Sequence, residues 1–325
     1  MKTTKQIYGV IGFLCSILAT AGGSWAAGEK FPSKPVTILC GYSAGGSTDI
    51  QIRTVVPYFQ KHLNNPVMVE NLPGVSGVLA SNKLLASEPD GHTLLVSCAQ
   101  QLVLSEYLYK GTAKYNTQDL TYIHNLVRED TVLVTHPDLY GSYDQFIQAA
   151  RSKKLKVGIP GKGQYCHLVV LLIEKWAKVE FNIVPFEGGG PGMASLMGKH
   201  IDAFSTMGST AFNMARSGSL RPLFVLAKQR SPQYPQTSVP SDLGYDTTET
   251  QIILYLTGIY GPPKMPPERA RILEEALAKA LKEPEYIEKV SRMNIEVFPL
   301  SAKEFRITME RESPTIVRFM DIMKK

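Results

Sequence analysis

The chain of 325 residues is poor in cysteine and tryptophan, and none of its cysteines are paired at the spacing of metal ligands. It has four cysteines and two tryptophans, and its six histidines are scattered along the chain. Structural zinc sites need cysteines or histidines at short, regular spacings. The sequence therefore predicts no bound metal.

Two motifs of nucleotide chemistry are also missing. The glycine-rich loops do not read Gly-x-Gly-x-x-Gly, and none ends in Gly-Lys-Ser or Gly-Lys-Thr. These patterns are typical of dinucleotide binding and of nucleotide-phosphate binding. We therefore expect no cofactor and no catalytic residue, and an enzyme that uses a phosphate or a dinucleotide is the weaker alternative.

The chain lacks a dense basic run interleaved with aromatic residues, which is the usual mark of a nucleic-acid surface. Charged residues make up 20% of the sequence, and the formal net charge is +6. This mild positive charge suits a small anionic ligand and gives no support for nucleic-acid binding.

Beyond the N-terminus the sequence has no apolar run long enough to span a bilayer. At the N-terminus, Lys2 and Lys5 precede an apolar stretch over residues 7–19, and Ser24 and Ala26 offer the small residues that a signal peptidase reads. We expect residues 1–26 to be a signal peptide cleaved after Ala26. The mature protein is then expected to be a soluble, periplasmic monomer.

Three cysteines remain after the predicted cleavage, Cys40, Cys98 and Cys166. Cys40 and Cys98 end predicted neighbouring strands, which lie about 5 Å apart in a sheet. A bridge between them is one alternative, and free buried thiols are the other. We favour free thiols, because cysteine is among the most commonly buried residues.

Two glycine-rich loops each join a strand-like run to a helix-like run. Residues 41–49 follow the apolar run 36–40, and residues 160–165 lie between the run 156–159 and a long apolar helix. A strand that enters a helix through glycines presents free backbone N–H groups at the positive end of the helix dipole, which favours an anion. The pair of loops predicts two lobes that close on one anionic ligand.

Strand-like and helix-like runs alternate along most of the chain, which is typical of an α/β protein with mainly parallel sheets flanked by helices. The first hundred residues contain three β–α repeats. Residues 121–127 read as a strand that crosses between lobes, and residues 252–260 as a strand that returns. Ser301 and Glu304 have the spacing of a capping box and predict the start of the last helix.

This alternation, with its crossing and returning strands, predicts the domain organisation. We expect lobe one to comprise residues 27–125 and 255–325. Lobe two is the stretch between them, residues 126–254.

Five ordered motifs carry a resemblance that covers nearly the whole predicted mature chain. They are residues 42–49, 69–74, 89–95, 185–189 and 258–262, the last followed by the helix at Pro267. In these motifs the chain resembles the Bug family, the extracytoplasmic substrate-binding proteins of tripartite tricarboxylate transporters. The resemblance implies a two-lobed periplasmic-binding-protein (Venus flytrap) fold. It also implies reversible capture of a small organic carboxylate and its delivery to the membrane components of such a transporter.

In this family the ligand carboxylate is held largely by backbone groups and ordered water from two facing loops. Carried over position by position, the resemblance implies the following ligand-binding residues: Tyr42, Ser43, Ala44, Gly45, Gly46, Ser47, Thr48, Asp49, Cys98, Ala99, Gln100, Gly161, Lys162, Gly163, Gln164, Tyr165, His167, Phe186, Gly188 and Gly189.

The individual roles of three of these residues are open. For Asp49 we favour bonding of the backbone in the first turn of its helix. Lys162 either pairs with the ligand or points into solvent, and His167 either lines the pocket or packs against its own helix. The chain departs from the family at Ala44, where proline is usual, and at Cys98, where a small hydroxyl residue is common. These departures bear on the identity of the ligand.

Two functional classes besides transport remain. A ligand-sensing module for a membrane receptor would use the same cleft, so the sequence does not separate it from a transport protein. The phosphate- or dinucleotide-using enzyme is less favoured because its motifs are missing.

Overall fold

The computed structural model describes residues 30–247, 255–293 and 295–318. These residues form two mixed β-sheets flanked by helices. The strands are β1 (Val36–Cys40), β2 (Val67–Asn71), β3 (Thr93–Cys98), β4 (Thr121–Glu129), β5 (Thr131–Thr135), β6 (Lys156–Ile159), β7 (Asn182–Pro185), β8 (Ala203–Met207), β9 (Arg221–Leu226), β10 (Tyr255–Gly261) and β11 (Glu296–Ser301). The helices are α1 (Ser47–Leu63), α2 (Val78–Leu85), α3 (Ala99–Leu108), α4 (Tyr143–Ser152), α5 (Tyr165–Ala177), α6 (Gly189–Met197), α7 (Gly208–Arg216), α8 (Pro267–Ala280), α9 (Pro284–Arg292) and α10 (Ala302–Arg318).

The two sheets are mixed, whereas the sequence predicted mainly parallel ones. The six-stranded sheet has the order β11-β4-β10-β3-β1-β2, and the five-stranded sheet has the order β7-β6-β8-β5-β9. The β–α repeats pair in parallel, as β1 does with β2 and β3 and as β6 does with β7 and β8. The other pairs are antiparallel: β10 runs opposite to both of its neighbours, β3 and β4, and β5 runs opposite to β8 and β9. Strand β11 likewise runs opposite to β4.

The predicted β–α repeats and crossing strands are confirmed. The first three strands are each followed by a helix, and β4 lies in one sheet while β5 lies in the other. The chain passes from the six-stranded to the five-stranded sheet at Asp130, because β4 stays paired in the six-stranded sheet as far as Glu129. The predicted boundary after residue 125 therefore cuts through β4. The limits of the two lobes otherwise stay a prediction, and below "lobe one" and "lobe two" mean the residues packed on the six- and five-stranded sheets.

Helices cover both faces of each sheet. Helices α1, α8 and α9 pack on one face of the six-stranded sheet, and α2, α3 and α10 on the other. In the five-stranded sheet α4 and α5 cover one face, and α6 and α7 the other. The residues beneath α3 and α10 belong to the same apolar core as those beneath α5, and the ring of Tyr165 lies 5.7 Å from that of Tyr255 in β10. The two lobes therefore share apolar contact where they meet.

Two further sequence predictions concern local structure. The capping box at the last helix is confirmed, because Glu304 N–H donates to Ser301 Oγ at 3.3 Å and Ser301 N–H donates to Glu304 Oε2 at 3.0 Å. Cys40, Cys98 and Cys166 are buried and free, as favoured. Cys40 lies opposite Val96 in the register of β1 and β3, two residues short of Cys98.

The predicted signal peptide lies outside the described residues. Within the part of the chain that the structure describes, every helix is too short or too polar to cross a membrane.

Candidate functional site

Several helices follow the carboxyl end of a strand, either directly or after a short loop, and have no side-chain cap. This holds for α1, α3, α5, α6 and α7. Helix α4, in contrast, is capped by Ser142 Oγ, which accepts from Gln145 N–H at 3.2 Å. The first N–H groups of an α-helix have no partner inside the helix. The uncapped helices therefore offer backbone donors at this end of the sheets.

Asp49 organises the first glycine loop. Its Oδ2 accepts from Gly45 N–H at 2.9 Å, and its Oδ1 accepts from Arg53 and Asn71 at 2.8 Å each. Burial acts to raise the pKa of Asp49, but these three hydrogen bonds outweigh it, so that the pKa lies below its ordinary value. The carboxylate of Asp49 is thus engaged by the loop itself.

The remaining first-loop residues differ in exposure. Ser43, Ala44 and Gly45 are exposed, Gly46 and Ser47 are half-buried, and Thr48 is buried at the start of α1. The Tyr42 hydroxyl points inward and lies without a hydrogen-bond partner among the described residues. Burial raises the pKa of that hydroxyl. The tip of the loop is therefore accessible while its base is packed.

The second glycine loop is bound by lobe one. Lys162 O accepts from Tyr109 Oη at 3.3 Å, and Gly163 O accepts from Gln101 Nε2 at 3.1 Å. Tyr165 N–H, in the first turn of α5, donates to Gln101 Oε1 at 3.0 Å. The side-chain amide of Gln101 thus fills the helix start that was predicted to face the ligand. The two lobes are closed on each other at this point, and the Lys162 side chain is exposed.

The side chain of Gln100, a predicted ligand contact, is engaged away from the second loop. Its Oε1 accepts from Leu256 N–H at 2.9 Å, and its Nε2 lies 3.4 Å from Glu312 Oε2, so that both ends of the amide are engaged inside lobe one. Its neighbours Cys98 and Ala99 are fully buried. Because successive helical residues differ by about 100° in direction, the next residue, Gln101, is the one that reaches lobe two.

The third predicted segment lies at the start of α6. The Phe186 ring packs edge-on against Phe204 at 6.1 Å, inside lobe two, and the residue is half-buried, so its place in the cleft stays a prediction. Gly188 N–H donates to Pro160 O at 3.0 Å, and a Cβ on Gly189 would lie 3.6 Å from Thr210 in the first turn of α7. The starts of α6 and α7 are therefore neighbours. Gly161 and Gln164 are half-buried.

His167 takes the packed role. It is buried, and its Nδ1 accepts from Gly163 N–H at 3.3 Å. Burial, and next the charge of Lys162, lower the pKa of His167 from 6.5 to about 4. The imidazole is therefore neutral at pH 7 and supports the second loop.

This pKa predicts acid sensitivity. Between pH 6.5 and pH 4 the unfolded chain binds a proton at His167 that the folded chain does not, so stability is present above this window and lost as the pH falls through it. In His167→Asn the amide oxygen still accepts from Gly163 but does not titrate. We expect the variant to lose about 1–3 kcal/mol less than the wild type between pH 7 and pH 4.5, measured by urea unfolding. Equal losses would contradict this role.

Glu129, which the sequence reasoning missed, lies where the first turns of α1 and α7 meet. Ser47 Oγ donates to Glu129 Oε2 at 2.7 Å, and Gln51 Nε2 donates to the same oxygen. Ser209, in α7, has its hydroxyl 3.4 Å from Ser47 Oγ. Burial raises the pKa of Glu129, although hydrogen bonds from Ser209, Ser47 and Gln51 oppose the rise. In the sequence, the only indication of its role was its place two residues after the predicted crossing strand, residues 121–127.

The described residues contain no cluster of three or more histidine, cysteine, aspartate or glutamate side chains arranged to hold a metal ion. The functional groups brought together between the lobes are backbone N–H groups, hydroxyls, amides and one buried carboxyl. This set of groups suits reversible binding of a small polar ligand.

Comparison with known proteins places the chain in a family. The model of the tripartite tricarboxylate transporter family receptor (TctC) matches residues 52–319. A protein from the gbd 5' region of Cupriavidus necator is 30% identical over 286 residues, which cover 86% of this chain and 84% of the relative. Protein BugT of Bordetella pertussis is 29% identical over 245 residues, 74% of each chain.

Solved structures agree in fold. MatC from Rhodopseudomonas palustris with bound malate aligns with a TM-score of 0.79 and 23% identity, covering 90% of this chain and all of that one. A second R. palustris protein, solved with adipate, aligns with a TM-score of 0.80 and 21% identity, covering 90% and 97%. These likenesses confirm the α/β periplasmic-binding-protein fold.

The family consists of periplasmic solute-binding proteins rather than enzymes, and it works with a tripartite membrane transporter to take up small carboxylates. The family model spans most of the described residues, and the relatives are matched over most of their own length. The chain belongs to the tripartite tricarboxylate transporter receptor family, which includes the Bug proteins.

Proposed function

We propose that this chain captures a small organic carboxylate between its two lobes and delivers it to the membrane components of a tripartite transporter. The observation that carries the proposal is the convergence of uncapped helix starts on the lobe interface, with α1 and α7 meeting at the Ser47–Ser209 contact. Helix starts favour anions, and hydrogen bonds to a carboxylate are stronger than those between neutral groups. The malate and adipate found in two proteins of similar fold support the same ligand class.

The ligand contacts proposed in the first lobe are the backbone groups of residues 43–48. In the second lobe they are those of residues 161–165 and of Gly188 and Gly189. The exposed loop tips of the first lobe, and the closed contact of Gln101 with the second loop, support a site that opens when the lobes separate. We propose that the protein acts as a periplasmic monomer after cleavage near Ala26, and that nucleic acid has no part in its function.

A thermal-shift comparison of matched acids and amides tests the proposal. Malate, succinate, adipate and citrate are compared with succinamide and adipamide, which have similar shapes and no charge. At a hundred times its dissociation constant, a bound acid should stabilise the protein by about 2.7 kcal/mol and raise the unfolding midpoint. The proposal fails if no acid raises the midpoint, or if the amides raise it as much as the acids.

A further inference from the structure

Glu129 is a buried carboxyl in the contact between the lobes. It ends β4, one residue before the chain passes to the five-stranded sheet, and it is 6% exposed. Ser47, one of the proposed ligand contacts, bonds it at 2.7 Å. A group so close to the start of α1 is within reach of any atom next to a carboxylate bound there.

The two oxygens of Glu129 differ. Ser47 and Gln51 both donate to Oε2. Oε1 is buried and has no hydrogen-bond partner among the described residues. A buried acceptor without a donor costs about 1–3 kcal/mol. Ser209, at the start of α7, also approaches the carboxyl. No group of the described residues meets Oε1 in hydrogen-bond geometry, so Oε1 is the atom that can accept a donor from a ligand.

The space beside Glu129 is small. Glu129 lines a cavity of about 20 Å³ together with Arg128 and Asp130 beside it in the chain, Glu296 from β11, and Gly208 and Gln233 from lobe two. Such a volume holds one water-sized group. A hydroxyl or an ammonium fits it, whereas a second carboxylate is too large.

We propose that Glu129 determines specificity by accepting, through Oε1, a hydrogen bond from a hydroxyl or ammonium group next to the bound carboxylate. The preferred ligands are then 2-hydroxy or 2-amino acids. This inference rests on the proposed capture of a carboxylate and adds a chemical class to it. In a 2-oxo acid the carbonyl oxygen at this position is a hydrogen-bond acceptor, as is Glu129 Oε1, so no hydrogen bond forms and the acid binds poorly.

The experiment uses calorimetric titration with sets of acids that differ only at carbon 2. Each set has an unsubstituted, a 2-hydroxy and a 2-oxo acid. The four sets are propionate, lactate and pyruvate; succinate, malate and oxaloacetate; glutarate, 2-hydroxyglutarate and 2-oxoglutarate; and adipate, 2-hydroxyadipate and 2-oxoadipate. At the chain length that binds best, the wild type should prefer the hydroxy acid over the oxo acid and over the unsubstituted acid by about tenfold or more.

Glu129→Gln should reverse the preference. Because Ser47 and Gln51 donate to the Oε2 position, the amide oxygen stays there and the NH₂ group takes the place of Oε1. The variant then presents a donor and should bind the oxo acid about threefold or more tightly than the hydroxy acid. Glu288→Gln, an exposed carboxylate on α9 paired with Arg292, is the matched control and should keep the wild-type order.

The outcomes separate the two proposals. If no acid of any set binds, carboxylate capture is wrong and the inference fails with it. If acids bind but hydroxy, oxo and unsubstituted forms bind the wild type alike, carboxylate capture stands and the role of Glu129 is wrong. The wild-type comparison decides this even if Glu129→Gln does not fold, which its unfolding midpoint without ligand reports.

Discussion

Gly163→Val is expected to weaken carboxylate binding by about 100-fold or more while both lobes stay folded. A Cβ at Gly163 would lie 2.8 Å from Tyr109 Oη and 3.3 Å from Leu108 Cδ1, and both residues belong to lobe one. The added side chain would therefore hold the lobes apart at the second loop. Binding depends on closure, since neither lobe alone encloses a ligand. Calorimetric titration with the best acid of the thermal-shift comparison measures the loss.

The control for this variant is Gly218→Val. Gly163 and Gly218 both have φ +78°, so valine strains the backbone alike at both positions, by about 1–2 kcal/mol. A Cβ on Gly218, however, meets no atom of the described residues within 4 Å. Gly218→Val should bind the acid as the wild type does. If Gly163→Val binds within threefold of the wild type, closure through this loop is not needed for binding.

Gly258→Val should destabilise the protein by about 3 kcal/mol. Gly258 lies in β10, in the middle of the six-stranded sheet, and a Cβ there would overlap the fully buried Phe305 ring and lie 3.1 Å from His124 O. The ring belongs to a packed core and the carbonyl to the backbone, so neither moves away freely. Overpacking of this kind costs about 1–3 kcal/mol, and valine adds more atoms than the Cβ alone. Urea unfolding measures the change.

A second substitution tests the cause. Phe305→Leu makes room for the added methyl groups, so the double variant should lose less stability than the two single losses together. Gly111→Val is the control, because a Cβ on Gly111 meets nothing within 4 Å, and it should change the free energy of unfolding by about 0.5 kcal/mol or less. Additive losses in the double variant would show that the Phe305 contact is not the source.

The sequence predicted the β–α repeats and both glycine loops, because apolar runs bounded by glycine determine these features locally. It did not predict the direction of β5 and β10, each of which runs antiparallel to both of its neighbours. An apolar run reads the same in a parallel and an antiparallel pair, and the direction depends on which strand lies beside it. The mixed sheets follow from partners such as Thr257 and Cys98, which are far apart in the chain.

The candidate site was predicted in part for a similar reason. Asp49 bonds Gly45, four residues away, and this kind of contact can be read from a helix start. Gln101 bonds Tyr165, 64 residues away, and Ser47 bonds Glu129, 82 residues away. The choice between Gln100 and Gln101 depended on the rotation of α3, which is set by where that helix begins. Polar contacts between distant parts of the chain thus need the fold before they can be assigned.

The position of β10 has a consequence for biosynthesis. It is inserted between β3 and β4, although about 125 residues of chain separate Glu129 from Tyr255. When the nascent chain has been synthesised only as far as β4, the strand that separates β3 from β4 does not yet exist. The first half of the polypeptide therefore cannot form the complete six-stranded sheet. Long-range pairing of this kind is slow. The six-stranded sheet can therefore be completed only after all strands of the five-stranded sheet have been synthesised.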